Sequence, residues 1–401
     1  DSIASQMVLG LTTGAFLVAF ALQLGASNTV VGLLAAVPPL VQLAQIPTVY
    51  LIERIRLRRP ITFFACFASR TCLLLIGLAP FVFPPERVLT ILVGGLIAYG
   101  IFAAMGTCAW NAWMRDLIPP PQLGRFNAKR LTVATLFGTV LTLAAGHFLD
   151  RFAHIYPQQQ VFGYSALFIL AFGVGMVDEY FIATVPEPRM KSEETGILKL
   201  ILLPFKDTNF RNLLRYLFTW NFALNLAAPF FTVYMLTKLD MGMSYVIGLT
   251  VLSQLMNLLF FRVWGRLLDQ YSNKSILNLC APMLIFCILL WTFTRLPEKH
   301  ALTVPLLIVL HVFMGISMAG TTLGALNIAV KLAPKNLGAA YLAASSLANS
   351  LAAGLAPVLG GFFADYFASR QLSLVLRWST PDREVAFDTL HFEHWDFFFF
   401  L

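Results

Sequence analysis

Apolar residues run along this chain in blocks of about twenty, separated by short polar stretches, and the blocks carry no polar stripe at helical spacing. A helix that is apolar on every face belongs in a large core or in a membrane. About twenty apolar residues in helical form cross the ~30 Å of hydrocarbon in a bilayer. Spanning helices are therefore predicted at 4–25, 30–52, 60–82, 88–113, 128–150, 161–184, 211–236, 244–267, 275–294, 303–328 and 338–367. A twelfth block opens near 394 and stops at Leu401, and Asp1 stands where a start would carry Met, so both ends are expected to be truncated. The fold class expected is an all-α membrane protein.

Composition agrees: 58% of residues are hydrophobic and 12% charged, against about 25% charged in an average soluble protein. The net charge of +8 would suggest a nucleic-acid partner in a soluble chain. Here the basic residues sit in short loops and report topology, so no nucleic-acid partner is expected. Nineteen of the 28 Lys and Arg fall on the side of the chain's N-terminus and eight on the other. The positive-inside rule then places the N-terminus in the cytoplasm of a multi-pass inner-membrane protein. No cleavable signal peptide is evident. Cys66, Cys72, Cys108, Cys280 and Cys287 all lie inside apolar blocks and are odd in number, so neither a disulfide framework nor a CxxC metal site is expected.

Several features recur at an offset of 214 to 216 residues: Gly32 with Gly248, Glu53 with Asp269, Asn111 with Asn327, Leu123-Gly124 with Leu337-Gly338, and Asp150 with Asp365. Between the repeats lies the longest charged stretch, 185–211. The expected organisation is a six-helix bundle over 1–184, a cytoplasmic linker over 185–210, and a second bundle over 211–401 holding five helices and the start of a twelfth. Two homologous halves related by an axis along the membrane normal are the build of a large class of secondary transporters.

Residues 265–277 read Gly265-Arg-Leu-Leu-Asp269-Gln-Tyr-Ser-Asn-Lys274-Ser-Ile-Leu277. This resembles the Gly-x-x-x-Asp-(Arg/Lys)-x-Gly-Arg-(Arg/Lys) loop of the major facilitator superfamily, with Gln270, Ser272 and Asn273 departing from it. The matching first-half loop keeps Glu53, Arg54 and Arg58, and the run from Trp110 through Asp116 and Pro119 to Arg125 is similar to the same superfamily. The resemblance implies a fold of two six-helix bundles and a gate formed by Glu53, Arg54, Arg58, Asp116, Arg125, Gly265, Asp269 and Lys274. The glycine would permit close helix approach, and an acid at a neighbouring helix N-terminus gains about 0.3–1 kcal/mol from the dipole. The superfamily's fourth-helix Arg-Gly motif and fifth-helix Gly-Pro motif are absent. A Gly354-Leu-Ala-Pro357 run in the eleventh helix reads as close packing.

The same resemblance implies a substrate cavity lined by helices 1, 4, 7 and 10. Their polar and adaptable residues are Thr12, Thr13 and Gln23; Tyr99, Thr107 and Asn111; Trp220, Asn221 and Asn225; and His311, Met314, Ser317, Met318 and Thr321. No Asp or Glu stands at mid-span among them, which suits neutral or anionic substrates, and His311 is the group that could answer to pH. Arg70 is an intramembrane charge costing at least about 2.5–3.5 kcal/mol on insertion scales unless it finds an acceptor such as Asn111, Thr107, Gln42 or a backbone carbonyl. Asp178 and Glu179, near the end of the sixth helix, are expected to snorkel or pair with a loop arginine. His391, His394 and Asp396 resemble a metal cluster but read better as an interfacial belt.

No catalytic constellation, metal site or cofactor is expected. The function expected is alternating-access transport of a small organic molecule, in the export direction, with a coupling proton or ion as an open partner beside the substrate and the lipid bilayer. Uptake of a sugar or organic anion is the alternative within transport. A lipid-modifying transferase and a non-transporting sensor are the alternatives outside it.

Overall fold

In the computed structural model, residues 2–118, 120–187, 203–295, 301–334, 338–380, 383–393 and 395 are described. The helices are α1 (Ser2–Thr12), α2 (Gly14–Gln23), α3 (Asn28–Val41), α4 (Gln45–Ile55), α5 (Arg58–Val82), α6 (Pro85–Leu117), α7 (Pro120–Ile155), α8 (Gln160–Thr184), α9 (Thr208–Thr237), α10 (Met243–Gln270), α11 (Asn273–Leu290), α12 (Thr303–Leu332) and α13 (Gly338–Phe367). Among the described residues ten segments are long and apolar enough to cross a membrane; α1 with α2, and α3 with α4, each make one of them. The 30-residue α9 stands where the seventh span is predicted. The membrane part is thus all-α. Each apolar block satisfies its own backbone groups as a helix, which lipid requires.

Local chemistry sets the boundaries. Ser27 Oγ accepts from Val30 N at 3.4 Å to start α3. Asp207 accepts from Asn209 N at 2.9 Å and Phe210 N at 3.2 Å to start α9, and Ser272 accepts from Ser275 N at 3.1 Å to start α11. These are the residue types that cap free N–H groups. Gly25, at φ +78°, ends α2, and Ala26 N closes on Ala21 O at 3.0 Å; a glycine adopts this left-handed turn without steric cost.

The chain forms two compact units. One comprises Asp1–Gly196, Gly242–Ile247 and Ser350–Val358; the other comprises Ile197–Met241, Gly248–Asn349 and Leu359–Leu401. In the first, α5 packs between α6 and α8. Glycines allow that approach: a Cβ on Gly77 would lie 2.9 Å from Ile169 Cγ1, and one on Gly106 would stand 2.5 Å from Cys66 Sγ. Phe20 rests on Tyr164 and Phe168 with ring centroids 5.7 and 5.5 Å apart. Gly354 packs on Leu40 within this unit, the close packing expected of that run. In the second unit, Phe210, Leu213, Leu214 and Leu217 of α9 meet Ala329 of α12 and Tyr341, Ala344 and Ala348 of α13. Trp264 and Leu268 of α10 meet Ile276 and Cys280 of α11 and Ala319 of α12.

One difference from the sequence reading lies in the last loop. Between the eleventh predicted span and the block opening near 394, the chain makes β1 (Gln371–Thr380) and β2 (Arg383–Glu393), an antiparallel hairpin running from Gln371 opposite Glu393 to Thr380 opposite Arg383, with a bulge at Leu374/Val375. Much of the 185–210 linker, and His394 and Asp396 of the histidine cluster, lie outside the described residues.

Candidate functional site

The first span is broken at mid-length. α1 ends at Thr12, Thr13 turns extended, and Gly14 takes φ +61° before α2 begins. The apolar run through the break gives no hint of it, and the threonine hydroxyls bond back into the preceding turn. Thr12 Oγ1 donates to Val8 O and Thr13 Oγ1 to Leu9 O, each at 2.8 Å. Interrupted helices at membrane depth are tolerated where they are buried in protein or line a cavity.

Thr13 lines such a cavity, of about 410 Å³, contained in the first unit. From α1 and the break it takes Ser5, Leu9 and Thr13, four residues apart on one helical face, and from α2 it takes Leu17. From α6 it takes Leu96, Gly100, Thr107 and Asn111, again on one face, with Tyr99 and Trp110 beside them. Pro38, Val41 and Gln42 come from the proline-interrupted end of α3 and the 3-10 turn after it. α5 adds Cys66, Ser69 and Arg70, and α7 adds Arg130. Among the described residues the charged lining is these two arginines; no Asp or Glu is part of it.

Arg70, 6% exposed, does not meet the acceptors expected for it. Its Nη2 stands 3.8 Å from Asp178 Oδ2 and donates to Ser5 Oγ at 3.4 Å. Ser5 Oγ in turn donates to Asp178 Oδ2 at 3.0 Å. Asp178 and Glu179 are 1% and 2% exposed, so neither snorkels. The reason is geometric. α5 and α8 are close-packed neighbours, and Gly175, one turn before Glu179, leaves room for the Arg70 stem. A Cβ there would lie 2.7 Å from Arg70 Nε and 2.9 Å from Cγ.

Thr13, Tyr99, Thr107 and Asn111 are thus together on one wall system, while other expected lining residues sit elsewhere. Thr12 is fully buried on its own helix. Gln23 donates to Gln160 at 2.9 Å at the far end of the bundle. In the second unit Asn221 donates to Asn349 Oδ1 at 2.9 Å and to Leu217 O, and Asn225 to Asn221 O. Trp220 stacks on Tyr216. His311 is buried, with Nδ1 2.8 Å from Leu307 O and its ring against Trp291. Ser317 and Thr321 are buried and bonded to Phe313 O and Ser317 O of their own helix. Met314 Sδ accepts from Trp291 Nε1 at 3.5 Å, and Met318 is exposed. Ser5, Gln6, Ser69 and Arg130 were missed; stepping back in fours from Thr13 would have found Ser5.

Among the expected gate residues, Glu53, Arg54, Asp269 and Lys274 are exposed. Arg58 is not free to form part of a gate. It is 1% exposed, donates to Ala112 O at 3.0 Å and pairs with Glu187 at 3.9 Å. It fastens the start of α5 to α6 and to the segment after α8, where Trp113 Nε1 also donates to Pro186 O at 3.0 Å. No described atom lies within 4 Å of a Cβ built on Gly265, so the close approach expected there is not found. The side chains of Asp116 and Arg125 lie outside the described residues.

A family model described as the Major Facilitator Superfamily matches residues 2–357. No curated protein sequence matches the chain. Among solved structures, the nucleoside transporter NupG superposes with a TM-score of 0.69 at 12% identity, covering 92% of this chain and 90% of that one. A bacterial homologue of the human lysosomal transporter Spinster gives 0.64 at 15%, covering 92% and 80%. The xylose transporter XylE from E. coli gives 0.61 at 14%, covering 91% and 93%. At these identities the likeness is one of fold.

Proposed function

The chain belongs to the Major Facilitator Superfamily, and from that premise we propose that it moves a small organic molecule, neutral or anionic, across the inner membrane by alternating access. The observation that carries the substrate class is the 410 Å³ cavity whose charged lining, among the described residues, is Arg70 and Arg130, with no Asp or Glu on the lining itself. A lining without a fixed acid offers a cation no ion pair, whereas the guanidinium groups, the Thr107 hydroxyl and the Asn111 and Gln42 amides supply donors to a carboxylate, carbonyl or hydroxyl. Arg70 is held by Asp178, so Arg130, half-buried on α7, is the cation with more freedom to meet a substrate. The volume lies within the range of ordinary small-molecule sites, about 300–1,000 Å³. Export is the direction proposed.

The test is transport by the full-length protein in sealed vesicles of both orientations, offered anionic, neutral and cationic dyes of similar size. Anionic and neutral dyes should cross faster than cationic ones, outward in the cellular sense, and Arg130→Gln should slow the anionic dye most. A clear preference for lipophilic cations would sink the assignment. Net uptake under every gradient would reverse the direction while leaving the substrate class standing.

A further inference from the structure

Glu179 of α8 is 2% exposed, and neither of its carboxylate oxygens has a hydrogen-bond partner among the described residues. Its neighbour Asp178 takes the contact to Arg70 and the Ser5 hydroxyl. The groups close enough to act on the charge of Glu179 are Arg70 and Cys66 from α5 and Asp178 from its own helix. Among the helices also packed on α8, α1 and α2 carry no ionisable side chain over Ser2–Thr12 and Gly14–Gln23, and α7 places Arg130 on the cavity lining. Among the described residues, therefore, one guanidinium stands beside two carboxylates inside a membrane span.

An ionised carboxylate out of water is tolerated when paired and hydrogen-bonded; without partners it is relieved by taking a proton. Asp178 has its partners at Oδ2, and among the described residues neither oxygen of Glu179 has one. Glu179 is not itself on the cavity lining, but its α5 neighbours Cys66 and Arg70 are, and so is Ile182, one helical turn from it on α8. We propose that Arg70, Asp178 and Glu179 form a proton-binding site, with Glu179 as the group that takes up and releases the proton and the cavity as the route by which it does so. On uptake an O–H bond forms at a Glu179 carboxylate oxygen with a proton from cavity solvent. On release that bond breaks and the proton returns there; no other bond changes. With Glu179 neutral, Arg70 is matched by Asp178 alone, and the cavity wall carries one negative charge fewer beside it. The proton thus has a place in the transport cycle, a consequence that rests on the transporter reading of the cavity; the proton site itself does not.

The experiment reads protonation directly, without a transported substrate. Infrared difference spectra of the purified full-length protein in lipid nanodiscs are recorded from mildly acidic to mildly alkaline pH. A protonated carboxyl gives a C=O band that the ionised form lacks. The wild-type protein should show such a band at neutral pH, lose it on alkalinisation and shift it on transfer to D₂O. Glu179→Gln should remove it, and Asp178→Asn, which leaves Arg70 to Glu179 alone, should make it disappear at lower pH than in the wild type. Glutamine matches the neutral acid in shape, so the variant should elute and melt as the wild type does. Absence of the band from the wild-type protein at neutral pH would overturn the proposal, and that measurement needs no variant. A band that survives Glu179→Gln would overturn the assignment to Glu179. A band indifferent to D₂O would overturn the route through the cavity.

Discussion

Replacing Gly175 by alanine puts a methyl group where the stem of Arg70 now runs. The added Cβ would lie 2.7 Å from Arg70 Nε and 2.9 Å from Cγ, inside normal contact for both, and closer still to Cδ. A surface arginine would swing aside at little cost. This one is anchored at its tip by Asp178 and Ser5, so moving the stem loosens the ion pair as well. Overpacking of this kind costs about 1–3 kcal/mol, and full loss of one partner of a buried pair would raise that to about 3–5 kcal/mol. Opposing it is the better helix propensity of alanine, about 1 kcal/mol. A single measurement would blur these effects, and a double-mutant cycle separates them. Gly175→Ala is made in the wild type and in Arg70→Ala, and unfolding is followed in detergent by denaturant titration. The propensity gain is common to both backgrounds and cancels. The remaining coupling should be about 1–3 kcal/mol, with Gly175→Ala destabilising next to Arg70 and neutral or stabilising without it. Equal effects in the two backgrounds would show that the stem and the α8 backbone do not press on one another, and the geometric account of the cluster would fall with that result.

Gly14→Ala should cost about 1–2 kcal/mol through its left-handed backbone alone, because nothing lies within 4 Å of the added carbon; Gly14→Asn, a residue that tolerates this conformation, should recover part of the lost melting temperature. Arg58→Ala should destabilise by about 3–5 kcal/mol, since it strips a partner from Glu187 in a buried setting, while Trp113→Phe should cost about 0.5–1.5 kcal/mol for the bond to Pro186 O; thermal melts compare the two. His311→Gln should leave the pH profile of dye transport unchanged, because the imidazole is buried, bonded to Leu307 O and not among the residues lining the cavity of the first unit; a flattened profile would return this histidine to the mechanism. Glu179→Gln should make transport of an anionic fluorescein-type dye indifferent to an imposed proton gradient, which the wild type should follow.

The spans were legible because hydrocarbon allows a chain so few solutions: an apolar block of the right length becomes a helix. Their ends were less legible. α7 runs from Pro120 to Ile155, well past the predicted 128–150, because a helix does not stop where the hydrocarbon does and Lys129 and Arg130 are good helix formers. The hairpin in the last loop carried a signal that was passed over. Leu372, Leu374, Leu376 and Trp378 alternate with other residues on one side of Pro381-Asp382, and Val385 and Phe387 answer on the other, the period of a strand pair joined by a turn. The break at Thr13–Gly14 was hidden for the opposite reason: its backbone departs from the helix while its apolar pattern does not.

The cavity was legible in part, along single helices. Thr13 with its i−4 and i−8 neighbours, or Asn111 with Thr107, share a face whatever the helices around them do. What a sequence read one span at a time does not supply is the lateral neighbour. Arg70 and Asp178 are 108 positions apart, and each read alone invited a local remedy, a backbone carbonyl for one and snorkelling for the other. Charge economy in a membrane argues against that treatment. An arginine at mid-span and two carboxylates within a later span each carry a large transfer cost, and a single arrangement that brings them together relieves most of it at once. Intramembrane charges of opposite sign in one bundle are therefore better read jointly, with their sum as the informative quantity. Among the described residues the sum is one cation against two acids, and the acid left over, Glu179, is the one with no partner at either oxygen. An unequal count inside a span is itself a sign that a proton or a further cation belongs to the site.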